Sequence, residues 1–215
     1  MFVPGQYRPP DGTWMTDLVR ANPLALLVTN GAADGPLATH LPVIPEPAPD
    51  ASDRPTDLSG AVLLGHMNKA NPQWKALADE TAAVLTFTGP HAYVSPTTYA
   101  YTPAAPTWNF TAVHLRGRLS KLAPGEETLQ VVCSTVEAFE EDHGTGWDMS
   151  GSLDYFRRIL PAVGAFRFTV TKAEGMFKLS QEQKPEVRER VRAVFGECPS
   201  TRHRETAALM GRLPS

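Results

Sequence analysis

Short apolar or alternating segments, separated by Gly and Pro, predict that much of the chain forms β-strands. The strands expected from this pattern are residues 24–30, 37–44, 61–66, 82–87, 91–95, 109–119, 163–170 and 175–179. Residues 31–35 and the Gly89-Pro90 pair are expected to be turns. Polarity alternates along residues 109–119, so both faces of this long strand are expected to meet other groups.

Apolar residues at helical spacing predict helices between and after these strands. Residues 126–142 are amphipathic through Leu129, Val132, Val136 and Phe139. Further helices are expected at residues 14–21, after the Asn71-Pro72 pair, and at residues 153–160, 186–195 and 202–210. Short strands joined tightly, with helices added at intervals, predict an α+β fold: a β-barrel or strongly bent sheet with peripheral helices.

The length of 215 residues predicts a single domain that spans residues 1–215. Within it, residues 45–59 are rich in proline and contain almost no large apolar side chain, so we expect a flexible, solvated loop there. C-terminal helices are expected from residue 186 onward. Hydrophobic residues make up 42% of the chain and charged residues 20%, which is typical of a globular protein.

The charge balance argues against a dedicated DNA-binding protein. The 20 basic and 23 acidic side chains give a net charge of -3, whereas phosphate binding normally needs a basic excess or a basic face. Arginines do cluster near the C-terminus, but Glu186, Glu189 and Glu205 lie among them, which favours an ion-paired helix face. No signal peptide is recognised at the start, and no apolar stretch approaches the ~20 residues that span a bilayer. A cytoplasmic location is therefore expected.

Four histidines lie in or beside predicted strands: His40, His66, His91 and His114. Each could bond a backbone carbonyl in the wall of a core, or take part in a binding site. His66 stands at a predicted strand-to-helix junction, which offers backbone N–H groups, and Lys69 follows with a charge suited to phosphate or carboxylate. A capped turn with a surface lysine fits the same residues.

Two further side chains are suited to a flat or anionic ligand. Trp108 begins the long strand, where an indole ring can stack on a planar ligand or belong to the core. Lys178 stands in an apolar stretch, where a lysine usually finds an anion or extends to solvent. The sequence contains no dinucleotide-binding glycine motif, P-loop, nucleophile elbow or zinc-protease motif.

Five segments, in this order, resemble the PaiB-like proteins, which are described as FMN-binding negative transcriptional regulators with a split β-barrel fold. The segments are ATHLP at 38–42, GHMNKANPQW at 65–74, GPHAYVSP at 89–96, PTWNFTAVHLRG at 106–117 and KLSQ at 178–181. The opening MFVPGQY matches as well, so the resemblance covers nearly the whole chain. It implies a split-barrel fold and a homodimer with cofactor pockets at or near the subunit interface.

The resemblance also implies which side chains approach the cofactor. In FMN-binding members the matching segments approach the flavin or its phosphate. Carried over to this chain, the residues are Thr39, His40, His66, Lys69, Asn71, Trp108, Asn109 and Lys178.

Two departures from the regulators indicate a particular branch. PaiB-like regulators generally continue KLSQ with Asn and a basic residue, whereas Glu182 and Gln183 follow here. An acidic side chain is poorly placed beside a flavin phosphate. Residues 143–166 also differ from the regulators, and together with MFKLSQEQ they are similar to the piperazate synthases, a branch that binds haem b in place of FMN.

The likeness to this branch implies a haem-dependent cyclase. Its reaction converts δ-N-hydroxy-L-ornithine to L-piperazate by forming an N–N bond with loss of water. We expect His66 to ligate the haem iron, with His40 and His114 as the other candidates. FMN is the alternative cofactor. An FMN-binding transcriptional regulator, a flavin oxidoreductase and a haem carrier without catalysis are the alternative functions.

The expected substrate is zwitterionic, so its pocket needs an anion partner and a proton acceptor. Lys69, Arg116 or Lys178 could meet the carboxylate, and Glu182 could accept the proton of the α-ammonium group. Lys178, Glu182 and His40 are accordingly the catalytic candidates. Holding the acyclic chain near its ring-closed shape would itself contribute to the rate.

Overall fold

The computed structural model describes residues 1–31, 35–47 and 57–214. In this part of the chain the strands are β1 (Leu24–Thr29), β2 (Leu37–Pro45), β3 (Val62–Asn68), β4 (Thr81–Val94), β5 (Thr107–Lys121) and β6 (Val163–Lys178). The helices are α1 (Thr13–Ala21), α2 (Pro72–Ala76), α3 (Pro96–Tyr99), α4 (Glu126–His143), α5 (Leu153–Ile159), α6 (Pro185–Glu197) and α7 (Thr201–Gly211). Single 3₁₀ turns occur at Gly5–Tyr7, Met149–Ser152 and Leu160–Ala162.

The strands pair antiparallel in one closed barrel, in the order β1–β2–β3–β6–β5–β4. Alternate side chains of each strand point inward, and Leu27, Leu85, Leu115 and Phe168 are fully buried there. Removing such side chains from water stabilises the fold by about 25 cal/mol per Å² of apolar surface. The expected α+β fold, a β-barrel with peripheral helices, is confirmed.

The expected turn at Gly89-Pro90 is wrong, because β4 continues through both residues. The pairing with β5 shifts register between Thr88 and His91, which marks a bulge. A bulge accommodates proline, which has no N–H to donate to the strand pairing. The carbonyl of Pro90 accepts a hydrogen bond from Thr111 Oγ1 at 3.2 Å. The predicted strands 82–87 and 91–95 are therefore one strand.

The predicted strands 163–170 and 175–179 are likewise a single strand, β6. Its pairing with β5 shifts register between Arg116 and Gly117. Thr171 lies at this irregularity, and its Oγ1 donates to the Arg116 carbonyl at 3.1 Å. Strand β6 is therefore one bent strand that pairs with both β3 and β5 and joins them in the closed barrel.

Helices cover part of the barrel. Helix α4 packs on the outside of β2, β3 and β6, where Val131 meets Ile44, Leu64 and Ala165. Helices α1, α6 and α7 join the main core, and the Trp14 ring of α1 meets Phe177 edge-on with centroids 5.4 Å apart.

The expected loop at residues 45–59 falls mostly outside the described residues, which omit 48–56. Pro45 itself ends β2, so the strand runs one residue further than expected. The expected C-terminal helices are present as α6, which has Pro185 in its first turn, and α7. Among the described helices, none combines the length and the apolar character that crossing a membrane requires.

Candidate functional site

The segments that carry Thr39 and Asn71 meet at one end of the barrel. Asn71 caps α2 by accepting a bond from Gln73 N at 2.8 Å, and Pro72 fills the first turn. Its Nδ2 donates to Thr39 Oγ1 at 3.0 Å. The buried Gln73 side chain donates to Thr29 Oγ1 at 3.0 Å, which ties α2 to β1 as well. The structure therefore brings Thr39 and Asn71 together, and it adds Gln73, which the sequence motif did not single out.

His66 lies on β3 just before this junction and is partly exposed. Its Nδ1 atom is buried and bonds to none of the described groups. Burial lowers the pKa of the imidazole, which favours the neutral form that binds metal ions. A buried nitrogen without a partner costs about 1–3 kcal/mol. Within residues 1–31, 35–47 and 57–214, no group of three His, Cys, Asp or Glu side chains could hold a metal ion.

Lys69 links the junction to the segment that follows α5. Its Nζ donates to the Pro161 carbonyl at 3.2 Å, and its backbone N–H donates to the Ala162 carbonyl at 2.8 Å. An ammonium group has three donors, so Lys69 can still bind an anion at this corner. We call Thr39, His66, Lys69 and Asn71 the corner site.

His40 and His114 lie on the outer side of the barrel. His66 faces the same side, because it is opposite Ala165, which α4 covers from outside. In the strand register, Leu26 of β1 is opposite His40 of β2 and Thr86 of β4, and Thr86 is opposite His114 of β5. These residues form one row across four strands, with the histidines about 14 Å apart at normal strand spacing. Leu24, also on β1, is 63% exposed on the same side. We call this mixed surface of two leucines and three polar side chains the open face: Leu24, Leu26, His40, Thr86 and His114.

Glu174 extends the row onto β6, because it is opposite His114. The terminal amine of Met1 lies 2.9 Å from its carboxylate, and Lys172 lies 3.0 Å away. Hydrogen bonds from these two groups lower the pKa of Glu174 to about 2. Burial, and then the charge of the terminal amine, lower the pKa of His114. His114 is therefore favoured as a neutral imidazole at the edge of the open face.

Trp108 and Asn109 point to opposite faces of β5. Trp108 is 52% exposed, and its ring lies 5.9 Å from Tyr93 and 6.0 Å from His91 between centroids. Asn109 is fully buried, and its Nδ2 donates to Ser180 Oγ at 2.9 Å. The pair therefore does not present one surface to a flat ligand. Trp108 faces outward, whereas Asn109 holds the turn that follows β6.

That turn places Lys178 and Glu182 on either side of Tyr7. The Tyr7 hydroxyl donates to Glu182 Oε2 at 3.2 Å. The Lys178 Nζ lies 5.7 Å from the centroid of the Tyr7 ring and donates to Thr107 Oγ1. We call Tyr7, Lys178, Glu182 and Tyr99, which lies beside them, the turn site.

Tyr99 is a member of the turn site that sequence reasoning missed. It is 2% exposed, and its buried hydroxyl has no partner among the described groups. Burial raises its pKa first, and the Glu182 charge raises it further. Arg190 of α6 donates to the Tyr99 carbonyl at 2.7 Å and so fixes the end of α3. Tyr99 lies in a proline-rich segment without hydrophobic periodicity, so of the two tyrosines of the cluster only Tyr7, in the opening MFVPGQY match, carried a sequence signal.

The corner site and the turn site lie far apart in one chain. His66 is opposite Ala165 near the start of β6, whereas Lys178 is the last residue of that strand. Positions 165 and 178 are 13 residues apart, which corresponds to roughly 40 Å along a strand. The corner site and the turn site therefore lie beside opposite ends of β6, which is bent between them.

Residues 1–172 match a family of proteins described as "Putative FMN-binding domain". The chain is 28% identical to protease synthase and sporulation protein PAI 2 of Bacillus subtilis, over 85% of this chain and 83% of that protein. It is 30% identical to an uncharacterized protein of Emericella nidulans, over 78% of this chain and 79% of that protein.

Solved structures with the same fold include two proteins whose names refer to bound cofactors. The FAD and heme binding protein from Mycobacterium smegmatis superposes with a TM-score of 0.53 at 15% identity, over 84% of this chain and 77% of that one. The flavocytochrome Anf3 from Azotobacter vinelandii gives 0.52 at 16% identity, over 83% of this chain and 73% of that one. At these identities the likeness shows the fold alone, a split β-barrel. Since the family match covers four fifths of its length, the chain belongs to this FMN-binding domain family.

Proposed function

We propose that this protein is a haem-dependent cyclase that converts δ-N-hydroxy-L-ornithine to L-piperazate. The proposal rests on the state of the His66 side chain. Its buried Nδ1 lacks a partner among the described groups, and its imidazole is favoured in the neutral form. A neutral imidazole on a partly exposed side chain fits a haem iron, which proteins commonly bind through one histidine. His66 is therefore the proposed axial ligand, with His40 and His114 on the open face as the other candidates.

Bound haem would supply a Lewis acid that withdraws electron density from the hydroxylamine group of the substrate. Glu182 accepts one proton from the α-ammonium group and frees the lone pair of the α-nitrogen for attack. The α-nitrogen to δ-nitrogen bond forms as the N–O bond breaks, and the hydroxyl leaves with one proton as water. Lys178 holds the substrate carboxylate. The atoms balance without an external oxidant or reductant.

A homodimer is part of the proposal. The corner site lies beside the start of β6 and the turn site at its end, so in the proposed dimer the ligand lies between two copies of the chain and uses the corner site of one and the turn site of the other. Leu24 on the open face is 63% exposed and Leu26 is partly exposed, and a two-fold interface there would cover both and place the cofactor near the subunit boundary.

FMN binding is the second candidate, and the family description favours it. The corner site also fits this reading, because Lys69 keeps donors free for a phosphate beside the junction. An FMN-binding protein of this kind would act as a transcriptional regulator or a flavin oxidoreductase.

The C-terminal arginines give little support to a nucleic-acid surface. Arg192 pairs with Glu189, and Arg190 bonds the Tyr99 carbonyl. Arg204 donates to the Cys198 carbonyl at the end of α6. Of these three contacts only Arg192–Glu189 is an ion pair of the expected kind, since the other two are bonds to backbone carbonyls. All three use guanidinium groups within the protein and leave fewer donors for phosphates.

The absorption spectrum of the purified protein separates the two cofactors. We expect a Soret band for haem, whereas paired bands in the near-ultraviolet and blue would indicate FMN. Incubation with δ-N-hydroxy-L-ornithine should then yield piperazate, detected by mass spectrometry as a product lighter by one water. A flavin spectrum without this product would replace the proposal with the second candidate.

The variant His66→Ala tests the ligand assignment. We expect it to lose most of the bound haem and to shift the Soret band of any that remains, because the axial imidazole is gone. His143→Ala is the matched control, since His143 is an exposed residue at the end of α4. An unchanged Soret band in His66→Ala would transfer the assignment to His40 or His114.

A further inference from the structure

The turn site holds two opposite charges that do not neutralise each other. No ion pair joins Lys178 to Glu182, or either of them to a third side chain, in the described part of the chain. Lys178 bonds the Thr107 hydroxyl, and Glu182 accepts from the Tyr7 hydroxyl. A cation and an anion kept apart in this way are complementary to a molecule that carries both charges.

Tyr7 is the residue that separates the two charges. Its ring faces the Lys178 ammonium, with 5.7 Å between Nζ and the ring centroid, and its hydroxyl is bonded to Glu182. Tyr7 is 9% exposed, so its position is set by packing. A rigid phenol at this place fixes both the distance and the direction between the two charged groups.

Tyr99 adds an unsatisfied oxygen to the same cluster. Its hydroxyl is buried without a partner among the described groups, and the Glu182 charge acts on it. A primary ammonium group has three N–H donors, and Glu182, Tyr7 and Tyr99 together offer oxygens to accept them. Beside this cluster the exposed Tyr101 donates its hydroxyl to Gln183 Oε1 at 2.9 Å, and Glu182 is itself exposed to solvent.

The other two basic side chains considered for the substrate carboxylate are placed elsewhere. Lys69 is bonded to the Pro161 carbonyl at the corner site. Arg116 lies 3.5 Å from Glu174, beside the open face. Of the three, Lys178 is the one that the structure sets beside Glu182.

We infer that the turn site recognises the head group of a free α-amino acid, with Lys178 on the carboxylate and Glu182, Tyr7 and Tyr99 on the ammonium group. This inference rests on the proposed function, since it locates the α-amino acid end of that substrate. It adds Tyr7 and Tyr99 as specificity-determining residues. It also predicts that the site binds amino acids that have no hydroxylamine group.

Isothermal titration of the full-length protein with three unreactive probes tests the inference. L-Ornithine carries both charges of the head group, 5-aminopentanoate lacks the α-amine, and putrescine lacks the carboxylate. We expect Glu182→Gln to weaken L-ornithine binding by about tenfold or more, as for a lost charge-assisted contact. The affinity for 5-aminopentanoate should not change. We expect Lys178→Met to weaken L-ornithine and 5-aminopentanoate but not putrescine.

The phenols are tested by removing one oxygen from each. Tyr7→Phe and Tyr99→Phe should each weaken L-ornithine binding by about three- to tenfold with little change in fold. Tyr155→Phe is the control, because Tyr155 lies on α5 and is 52% exposed. Wild-type affinity for L-ornithine in both charge variants, or no L-ornithine binding by the wild-type protein, would overturn the inference.

Turnover of δ-N-hydroxy-L-ornithine, measured separately, distinguishes this failure from failure of the proposed function. The expected probe pattern without turnover would leave the amino acid site standing and remove the cyclase. Turnover with an unchanged probe pattern would keep the cyclase and move its head-group site away from Lys178 and Glu182.

Discussion

Asn109 shows how one side chain can look like a ligand contact in the sequence and serve the fold instead. Its amide is fully buried and exchanges hydrogen bonds with Ser180, at 2.9 Å from Nδ2 and 3.2 Å to Oδ1. Ser180 has a positive φ of 64°, an uncommon conformation for a residue with a side chain. The Asn109–Ser180 pair therefore holds the bend from which Glu182 projects.

Asn109→Ala should destabilise the protein by about 1–3 kcal/mol, because Ser180 would keep a buried hydroxyl without its partner. Urea unfolding followed by circular dichroism measures the change in the free energy of unfolding. Asn30→Ala serves as the control, since Asn30 is exposed at the end of β1. Equal stability of Asn109→Ala and the wild type would show that the buried pair contributes nothing.

At the scale of elements, the local pattern of hydrophobic and polar residues was enough to predict most strands and helices. It did not predict how neighbouring segments connect. A Gly-Pro pair is a strong turn signal, and only the pairing with β5 shows that β4 passes through it as a bulge. The two-residue period of a strand already separates Trp108 from Asn109, so their opposite faces could have been predicted. The separation of His66 and Lys178 along β6 could not have been predicted from the sequence, because it depends on β6 pairing with both β3 and β5.

Gly164 is the point where α2 rests directly on β6. A Cβ atom at this position would overlap the Trp74 indole ring. Gly164→Ala should therefore force Trp74 to move and destabilise the fold by about 1–3 kcal/mol, read as a lower melting temperature.

Gly196→Ala provides the opposite case. Gly196 lies in α6, and a Cβ atom added there would meet no described atom within 4 Å. Alanine at this position should stabilise the protein by about 0.5–1 kcal/mol through its higher helix propensity. A fall in melting temperature for Gly196→Ala, or none for Gly164→Ala, would contradict the packing described at these two positions.

At the scale of the whole molecule, the barrel is covered unevenly. Helix α4 packs over the outside of β2, β3 and β6, while Leu24 on β1 remains 63% exposed. Exposed apolar surface of this kind commonly marks a contact with another chain. The sequence alternation predicts that such strands have an outer face, but which outer face stays uncovered depends on where the helices return to the barrel.

Leu26→Asp tests the proposed dimer. A charge in the middle of an apolar interface would lose its hydration on association, so we expect the variant to be monomeric where the wild type is dimeric. Sedimentation velocity gives the mass of each. Val194→Asp is the matched control on α6, where Val194 is 48% exposed. A monomeric wild type would remove the dimer from the proposal.

The bond from Arg190 to the Tyr99 carbonyl has a consequence for how such proteins can diversify. The family match ends at residue 172, inside β6, so Lys178, Glu182 and both terminal helices lie beyond the matched region. Grafting this tail from a relative would therefore exchange the last residues of β6 together with Lys178 and Glu182, while Tyr7 and Tyr99 of the turn site stayed in place. Because Arg190 bonds a backbone carbonyl, which any residue at position 99 supplies, the graft would keep its tie to α3 wherever the incoming tail has a donor at position 190.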